Sequence, residues 1–297
     1  MMKDLLGIMQ MEKEDVKRIV ESAEKIKKNG AKTILQGKII AMLFEKPSTR
    51  TRVSFEAAIV HMGGHPMNLD FVSTQISRGE TMEDTGKVLS RYVDGITARL
   101  YKQEELEKLA EGADVPVINA LTDIEHPCQA LGDVLTIKEK KGSKVKVAFV
   151  GDIACNVANS LMLASTALGM EFVLIGPMGK YPPKEKFVEK AKKWGKVQVI
   201  DSLDGVEGCD VVYTDVWVSM GFESEKQERL KAFTPYQLNK NLLKKAKKDA
   251  IVMHCLPAKR GLEITSEVLD GPQSVVFDQA ENRLHIQKAI LAELLGA

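Results

Sequence analysis

"KIIAMLFEKPSTRTRVSFEAAIVHMGG", residues 38–64, holds two different periods on either side of one loop. Residues 38–44 are short and almost continuously apolar, the pattern of a strand buried on both faces of a parallel sheet. From Arg52 onward the apolar residues fall at helical spacing, and Gly63-Gly64 marks a stop. Glu45 to Pro47 therefore joins the C-terminal end of a strand to the N-terminal end of a helix. Ser48 is a good N-cap residue, and Thr49 to Arg52 fill the first turn. Such a turn offers unpaired backbone N–H groups and the positive end of the helix dipole, so it attracts anions. Arg50 and Arg52 oppose that dipole unless an anion neutralises them. A capped surface helix with solvated arginines gives the same spacing; a phosphate cradle is the reading that accounts for the cations. The G-x-x-x-x-G-K-[ST] of a nucleotide P-loop is missing.

The same alternation extends in both directions. Residues 12–29 form an amphipathic, Lys/Glu-rich helix ended by Asn29-Gly30. Further strands are expected at 65–71, 94–100 and 115–121, with helices at 82–92 and 103–113 between them, and a long helix at 126–141 closes the series at Gly142-Ser143. A second series of strands follows at 146–152, 171–177, 196–202, 210–216, 250–256 and 274–280. Strands alternating with helices predict an α/β fold of two doubly wound parallel-sheet domains joined by helices. We place the domains at 1–140 and 141–280, with a last helix, 281–297, returning to pack on the first.

A chain of 297 residues suits two such domains. With 42 Lys plus Arg against 41 Asp plus Glu, there is no global field to draw nucleic acid or a membrane surface, and a small partner is expected. The charged N-terminus lacks a signal-peptide core, and no apolar run reaches the ~18 residues of a membrane span. A cytoplasmic protein is expected. Cys128, Cys155, Cys209 and Cys255 lie far apart without a C-x-x-C pair, which reads as reduced thiols. His61 and His65 have helical metal-pair spacing, but Gly63 and Gly64 break the helix between them, so no metal site is expected. After the strand at 146–152 comes GDIACNVANS, without the G-x-G-x-x-G of a dinucleotide fold, which counts against a nicotinamide dehydrogenase. Arg99 ends a strand where a crevice would open. His126 and Gln129 open the following helix; a lone histidine there is more often structural.

S-T-R-T-R after a strand resembles the carbamoyl phosphate signature of the aspartate and ornithine carbamoyltransferases. HPCQAL (126–131), DVWVSMG (215–221), HCLPAKRG (254–261) and ENRLHIQKAIL (281–291) resemble blocks of the ornithine branch, in order along nearly the whole chain. The resemblance implies a first domain holding carbamoyl phosphate, a second holding the amino acid, and carbamoyl transfer to the δ-amine of L-ornithine. The products would be L-citrulline and phosphate, in arginine biosynthesis or its reverse, with neither cofactor nor metal.

By matching position, Ser48, Thr49, Arg50 and Thr51 would hold the phosphate, with Arg52 supporting the loop. Gln75 would reach a neighbouring subunit's site in a homotrimer or an assembly of trimers, although by itself it reads as an exposed loop amide. Arg99, Thr51 and His126 would converge on the carbamoyl oxygen. Gln129, Cys255, Leu256 and Arg283 would complete that side, Cys255 also lying beside the amine. Asn156, Asp215, Ser219 and Met220 would take ornithine. The GDIACN block departs from the family's GDGNN wording by an extra residue and the loss of one Asn. A different amine acceptor, such as putrescine or an N-acylated ornithine, and a non-catalytic binding subunit stay open at this point.

Overall fold

The computed structural model describes residues 2–219, 221 and 223–296. Its chain divides into two units, residues 1–135 with 282–297, and residues 136–281.

The first unit is built on β1 (Ile39–Phe44), β2 (His65–Asp70), β3 (Gly95–Arg99) and β4 (Val117–Leu121). All neighbours are parallel, in the order β2-β1-β3-β4. The connecting helices are α1 (Lys13–Asn29), α2 (Thr49–His61), α3 (Met82–Leu89) and α4 (Gln103–Gly112), with α5 (Pro127–Lys141) after β4. β1 is central and buried along its length from Ile40 to Phe44, as its unbroken apolar run requires. α1 begins with a reciprocal cap between Glu12 and Asp15 and buries Val16, Ile19, Val20 and Ala23, one helical stripe.

The second unit carries β5 (Lys146–Val150), β6 (Glu171–Ile175), β7 (Val197–Ile200), β8 (Val211–Thr214) and β9 (Ile251–His254) in the parallel order β7-β6-β5-β8-β9. Its helices are α6 (Asn156–Ala167), α7 (Glu185–Trp194), α8 (Lys226–Phe233), α9 (Lys240–Leu243) and α10 (Ser266–Leu269), and α11 (Val276–Leu295) follows. Val150, Val173, Ile175, Val212 and Val252 form one apolar cluster with Leu238, Ile264 and Val268. Both sheets are doubly wound parallel sheets with helices around them, the fold class read from the periodicity.

In each sheet the strand order reverses beside the first strand. β1 lies between β2 and β3, and β5 between β6 and β8. Chain leaving the carboxyl ends of β1 and β3, or of β5 and β8, must diverge there and open a crevice. Those ends lead into residues 45–48, 100–102, 151–155 and 215–219.

One expected strand is absent. Residues 274–280 pair with the sheet only at Ser274, opposite Val252, and α11 starts at Val276, five residues before the predicted helix. Val276, Gln279, Arg283 and Ile286 are buried at helical spacing while Phe277 is 75% exposed, which a strand covered on both faces could not be. The apolar triplet Val275 to Phe277 had masked that period. No helix among the described residues is long and apolar enough to cross a membrane.

α3 and α4 touch through glycines. A β-carbon on Gly112 would overlap the Glu83 carbonyl, and one on Gly86 the Leu109 carbonyl, so backbone meets backbone. Because neither obstacle is a movable side-chain tip, Gly112→Ala should destabilise the protein by ~1–3 kcal/mol through overpacking, measured as a lower midpoint in urea unfolding.

Candidate active site

In the first unit the anion-binding turn forms as a capped helix start. Ser48 is extended, and its Oγ accepts the Thr51 N–H at 3.2 Å. Thr51 is buried, and its Oγ1 accepts from Arg283 Nη2 at 2.8 Å and from Arg99 Nη1 at 3.4 Å. With both lone pairs engaged, the hydroxyl can act toward a ligand only as a donor. Arg283 also donates to Gln129 Oε1 at 3.0 Å, whose amide in turn donates to Asp133 at 2.8 Å. Thr51, Arg99, Gln129 and Arg283 are thus one hydrogen-bonded cluster drawn from α2, β3, α5 and α11.

Arg52 points elsewhere, pairing with Asp70 at 2.5 Å and lying over the Phe44 ring. Arg50 is half-buried and makes no ion pair among the described residues. Thr49 is exposed at the same turn. Gln75 stands exposed in a 3₁₀ turn, Gln75–Arg78, outside the cluster.

His126 precedes α5 and is 4% exposed. Burial, then the charges of Arg283, Arg99 and Lys46, hold its pKa well below the ordinary histidine value, so the imidazole is neutral. Lys46 was not singled out in the sequence. It is 5% exposed, lies over the Tyr101 ring at 4.3 Å, and has its own pKa lowered by burial and then by Arg99. Only its position two residues before Ser48 could have drawn attention to it.

The second unit carries acids instead. Asp215 follows β8, is 5% exposed, and accepts the Val216 N–H at 2.7 Å and the Cys255 thiol at 3.0 Å. Burial raises its pKa, while His254, Cys255 and the Val216 N–H oppose the rise. Ser219 lies half-buried four residues on, and Met220 falls outside the described residues. Asn156 opens α6 and is half-buried; Asn159, one turn later, is fully buried. The departure in the GDIACN block puts Cys155 at the N-cap, its sulphur accepting the Ala158 N–H at 3.4 Å.

Beneath these groups lies a network that the sequence did not reveal. Buried Arg229 of α8 donates to Asp152 at 2.8 Å and to the Trp217 carbonyl at 3.1 Å, tying together the loops after β5 and β8. His254 Nδ1 accepts the Leu256 N–H at 2.9 Å, so Nε2 carries the proton that faces Glu263 Oε1 at 3.1 Å. Leu256 itself is held at φ 55, a conformation costly for a branched side chain. Asp215, His254 and Cys255 bring donor atoms within 4.8 Å of one another. Both ring nitrogens of His254 are already engaged, by Leu256 and Glu263, and the Cys255 thiol by Asp215, so the trio is not a ready set of metal ligands. His61 ends α2 and His65 begins β2, on either side of the glycine turn.

A cationic corner at the end of one parallel sheet and an acid-lined end on the other is an arrangement that can hold an anion and a cationic amine. Comparison with known proteins gives the family. Residues 3–139 match the family described as aspartate/ornithine carbamoyltransferase, carbamoyl-P binding domain, and residues 143–294 its Asp/Orn binding domain. The chain belongs to this carbamoyltransferase family. It is 52% identical to ornithine carbamoyltransferase of Pyrococcus abyssi, covering 99% of this chain and 96% of that protein. Identity is 50% to the Methanosarcina acetivorans ornithine carbamoyltransferase, over 99% of this chain and 100% of the relative. The solved Pyrococcus furiosus ornithine carbamoyltransferase superimposes with a TM-score of 0.93 at 51% identity, covering 99% of this chain and 97% of that one.

For a member of this family, the neutrality of His126 has a measurable cost. An imidazole kept neutral in the fold but free to protonate when unfolded leaves stability intact above the ordinary histidine pKa of ~6.5 and erodes it as pH falls below that value. The thermal midpoint of wild type should therefore drop more steeply than that of His126→Gln between about pH 7.5 and about pH 5, in parallel melting curves.

Proposed function

We propose that the protein transfers the carbamoyl group of carbamoyl phosphate to the δ-amine of L-ornithine, giving L-citrulline and phosphate. The observation that most supports this is the Thr51 hydroxyl, saturated by two guanidinium donors beside a neutral buried imidazole at the start of α2. Such a corner supplies preplaced donors to an oxygen that gains negative charge, with little reorganisation.

Carbamoyl phosphate docks its dianion on Ser48, Thr49, Arg50 and the first-turn N–H groups of α2, where the dipole favours it. Its carbonyl oxygen faces Thr51, Arg99 and His126, with Gln129 and Arg283 holding that set in place. Ornithine binds through its α-ammonium to Asp215 and its carboxylate to Asn156. Ser219 and Met220 line its side chain, and Cys255 and Leu256 lie at the reacting end. Arrival of the ammonium favours the ionised form of Asp215, against the burial that raises its pKa.

An alkylamine of this kind has a solution pKa of ~10.4, so it must reach the carbamoyl carbon unprotonated, and desolvation favours that form. Attack puts negative charge on the carbonyl oxygen, which the Thr51, Arg99 and His126 donors stabilise. Collapse breaks the C–O bond to phosphate, whose growing charge Arg50 and the α2 N-terminus absorb. The departing phosphate takes the amine proton, so no separate protein base is needed.

The biosynthetic direction is favoured by the Pyrococcus furiosus relative, 51% identical, which is named an anabolic enzyme. The working assembly is a homotrimer or a set of trimers in the cytoplasm, with the exposed Gln75 of each copy serving a neighbour's phosphate site.

Citrulline formation from carbamoyl phosphate and ornithine, measured colorimetrically, tests the proposal. N-acetylornithine, putrescine and aspartate should give little product. Arg50→Ala should lower the rate by more than ~100-fold, as loss of a charge-stabilising donor does elsewhere, and equal rates would remove Arg50 from the mechanism. Asp215→Asn should raise the KM for ornithine by about 10- to 150-fold, the value of one hydrogen bond to a charged group, and leave carbamoyl phosphate binding intact in a calorimetric titration.

A further inference from the structure

We propose that the segment Asp4 to Met9 is a strap that sets the position of His126 through Glu125. The inference rests on the carbamoyl-transfer reading for its kinetic consequence, although the strap itself stands on geometry.

The segment lies along β4, at the end of the first sheet. Leu5 pairs with it as a one-residue strand: its N–H donates to the Val117 carbonyl at 2.9 Å, and the Asn119 N–H donates to the Leu5 carbonyl at 2.8 Å. Asp4 accepts the Val117 N–H at 2.8 Å, and the Leu6 carbonyl accepts from Asn119 Nδ2 at 2.7 Å and from Gln103 Nε2 at 3.2 Å. Leu5 and Ile8 are completely buried. After Gly7 the chain turns into a short 3₁₀ stretch, Ile8–Gln10, whose first two N–H groups both aim at Glu125. Ile8 N donates to Oε2 at 2.8 Å and Met9 N to Oε1 at 3.1 Å.

Glu125 is only 2% exposed and immediately precedes His126. Its backbone is fixed as well: the Thr122 N–H donates to the Glu125 carbonyl at 2.9 Å, and the Glu125 N–H donates to Thr122 Oγ1 at 3.2 Å. Thr122 Oγ1 donates to Gln103 Oε1 at 2.7 Å, the same side chain that holds Leu6. Strap, turn and histidine therefore form one connected unit. Gly7 records how closely they approach. Its φ of 178 is extended backbone that any residue can adopt, yet a β-carbon there would overlap Glu125 Oε1. Glycine is required at this position by the carboxylate, not by the chain conformation.

A buried carboxylate that loses two backbone donors is destabilised where it sits, because desolvating it without them is costly. It would move to water and draw the 122–125 turn and the adjoining imidazole with it. Displacing a catalytic donor by about 1 Å can cost on the order of 100-fold in rate.

The test compares full-length wild type with Glu125→Gln and Gly7→Ala, each checked by circular dichroism to be folded at the assay temperature. The glutamine keeps the length of the side chain but turns an N–H₂ toward one of the two donors; the alanine pushes the carboxylate out and leaves it ionised. We expect the Ile8 and Met9 amides to lose hydrogen-exchange protection in both. The kcat for citrulline formation should fall by about 10- to 100-fold while the KM for ornithine stays at the wild-type value. Loss of amide protection with an unchanged kcat would overturn the proposal and leave the strap as a stability element. So would a fall in kcat with the amides still protected. Should Gly7→Ala fail to fold, Glu125→Gln alone decides by the same two readings. Should wild type form no citrulline, the carbamoyl-transfer reading fails, and the nuclear magnetic resonance shift of the His126 ring in the variants still shows whether the strap positions it: a shift unchanged from wild type would refute it.

Discussion

Crowding of positive charge around one buried hydroxyl governs the first unit. Arg99 and Arg283 both reach Thr51 Oγ1, and Lys46 lies near enough to affect the protonation of His126. A guanidinium cannot release its proton in a protein, so the two arginines stay charged whatever their surroundings. The strain of like charges in poorly hydrated ground must therefore fall on the groups that can titrate. Both do yield: burial first, and then the neighbouring cations, push His126 and Lys46 toward their neutral forms. On the proposed function, a dianion bound at the start of α2 would relieve this repulsion.

The strand ends of the second unit carry acids instead. Asp152 and Asp215 follow the two strands at the sheet's reversal point, and burial raises the pKa of both. Arg229 answers the first, whereas Asp215 accepts from a thiol and a backbone N–H. The polarity of each end follows from topology plus a few residues. Parallel sheets with a reversed strand order fix where loops diverge, and the residue types on those loops decide the sign of the ligand.

Much of this was legible in the sequence because the signals were local. The change from continuous apolar residues to helical spacing across 38–64 located both a strand end and a capped helix, and nine of ten expected strands exist with ends trimmed by one or two residues. Residues 274–280 misled because three adjacent apolar side chains obey either period, and only burial distinguishes them. Residues of the site that act through others left no such trace. Nothing near Glu125 in sequence hints at Ile8 and Met9, more than a hundred positions away, and Arg229 reads as an ordinary helical arginine until Asp152 is placed beside it. Long-range hydrogen bonds between unlike segments carry no periodicity for a reader to detect.

Desolvation also decides the redox character of the protein. Burial lifts the thiol of Cys128 to about 12 and that of Cys209 to about 11, and the carboxylates beside Cys155 add to burial in pushing it well above the ordinary range. At neutral pH Cys128 is then held as the thiol, not as the thiolate that acts as nucleophile. Of the four cysteines, Cys255 alone is not buried. Oxidation at Cys255 would cost Asp215 the hydrogen bond that the thiol gives it and leave the buried cysteines untouched.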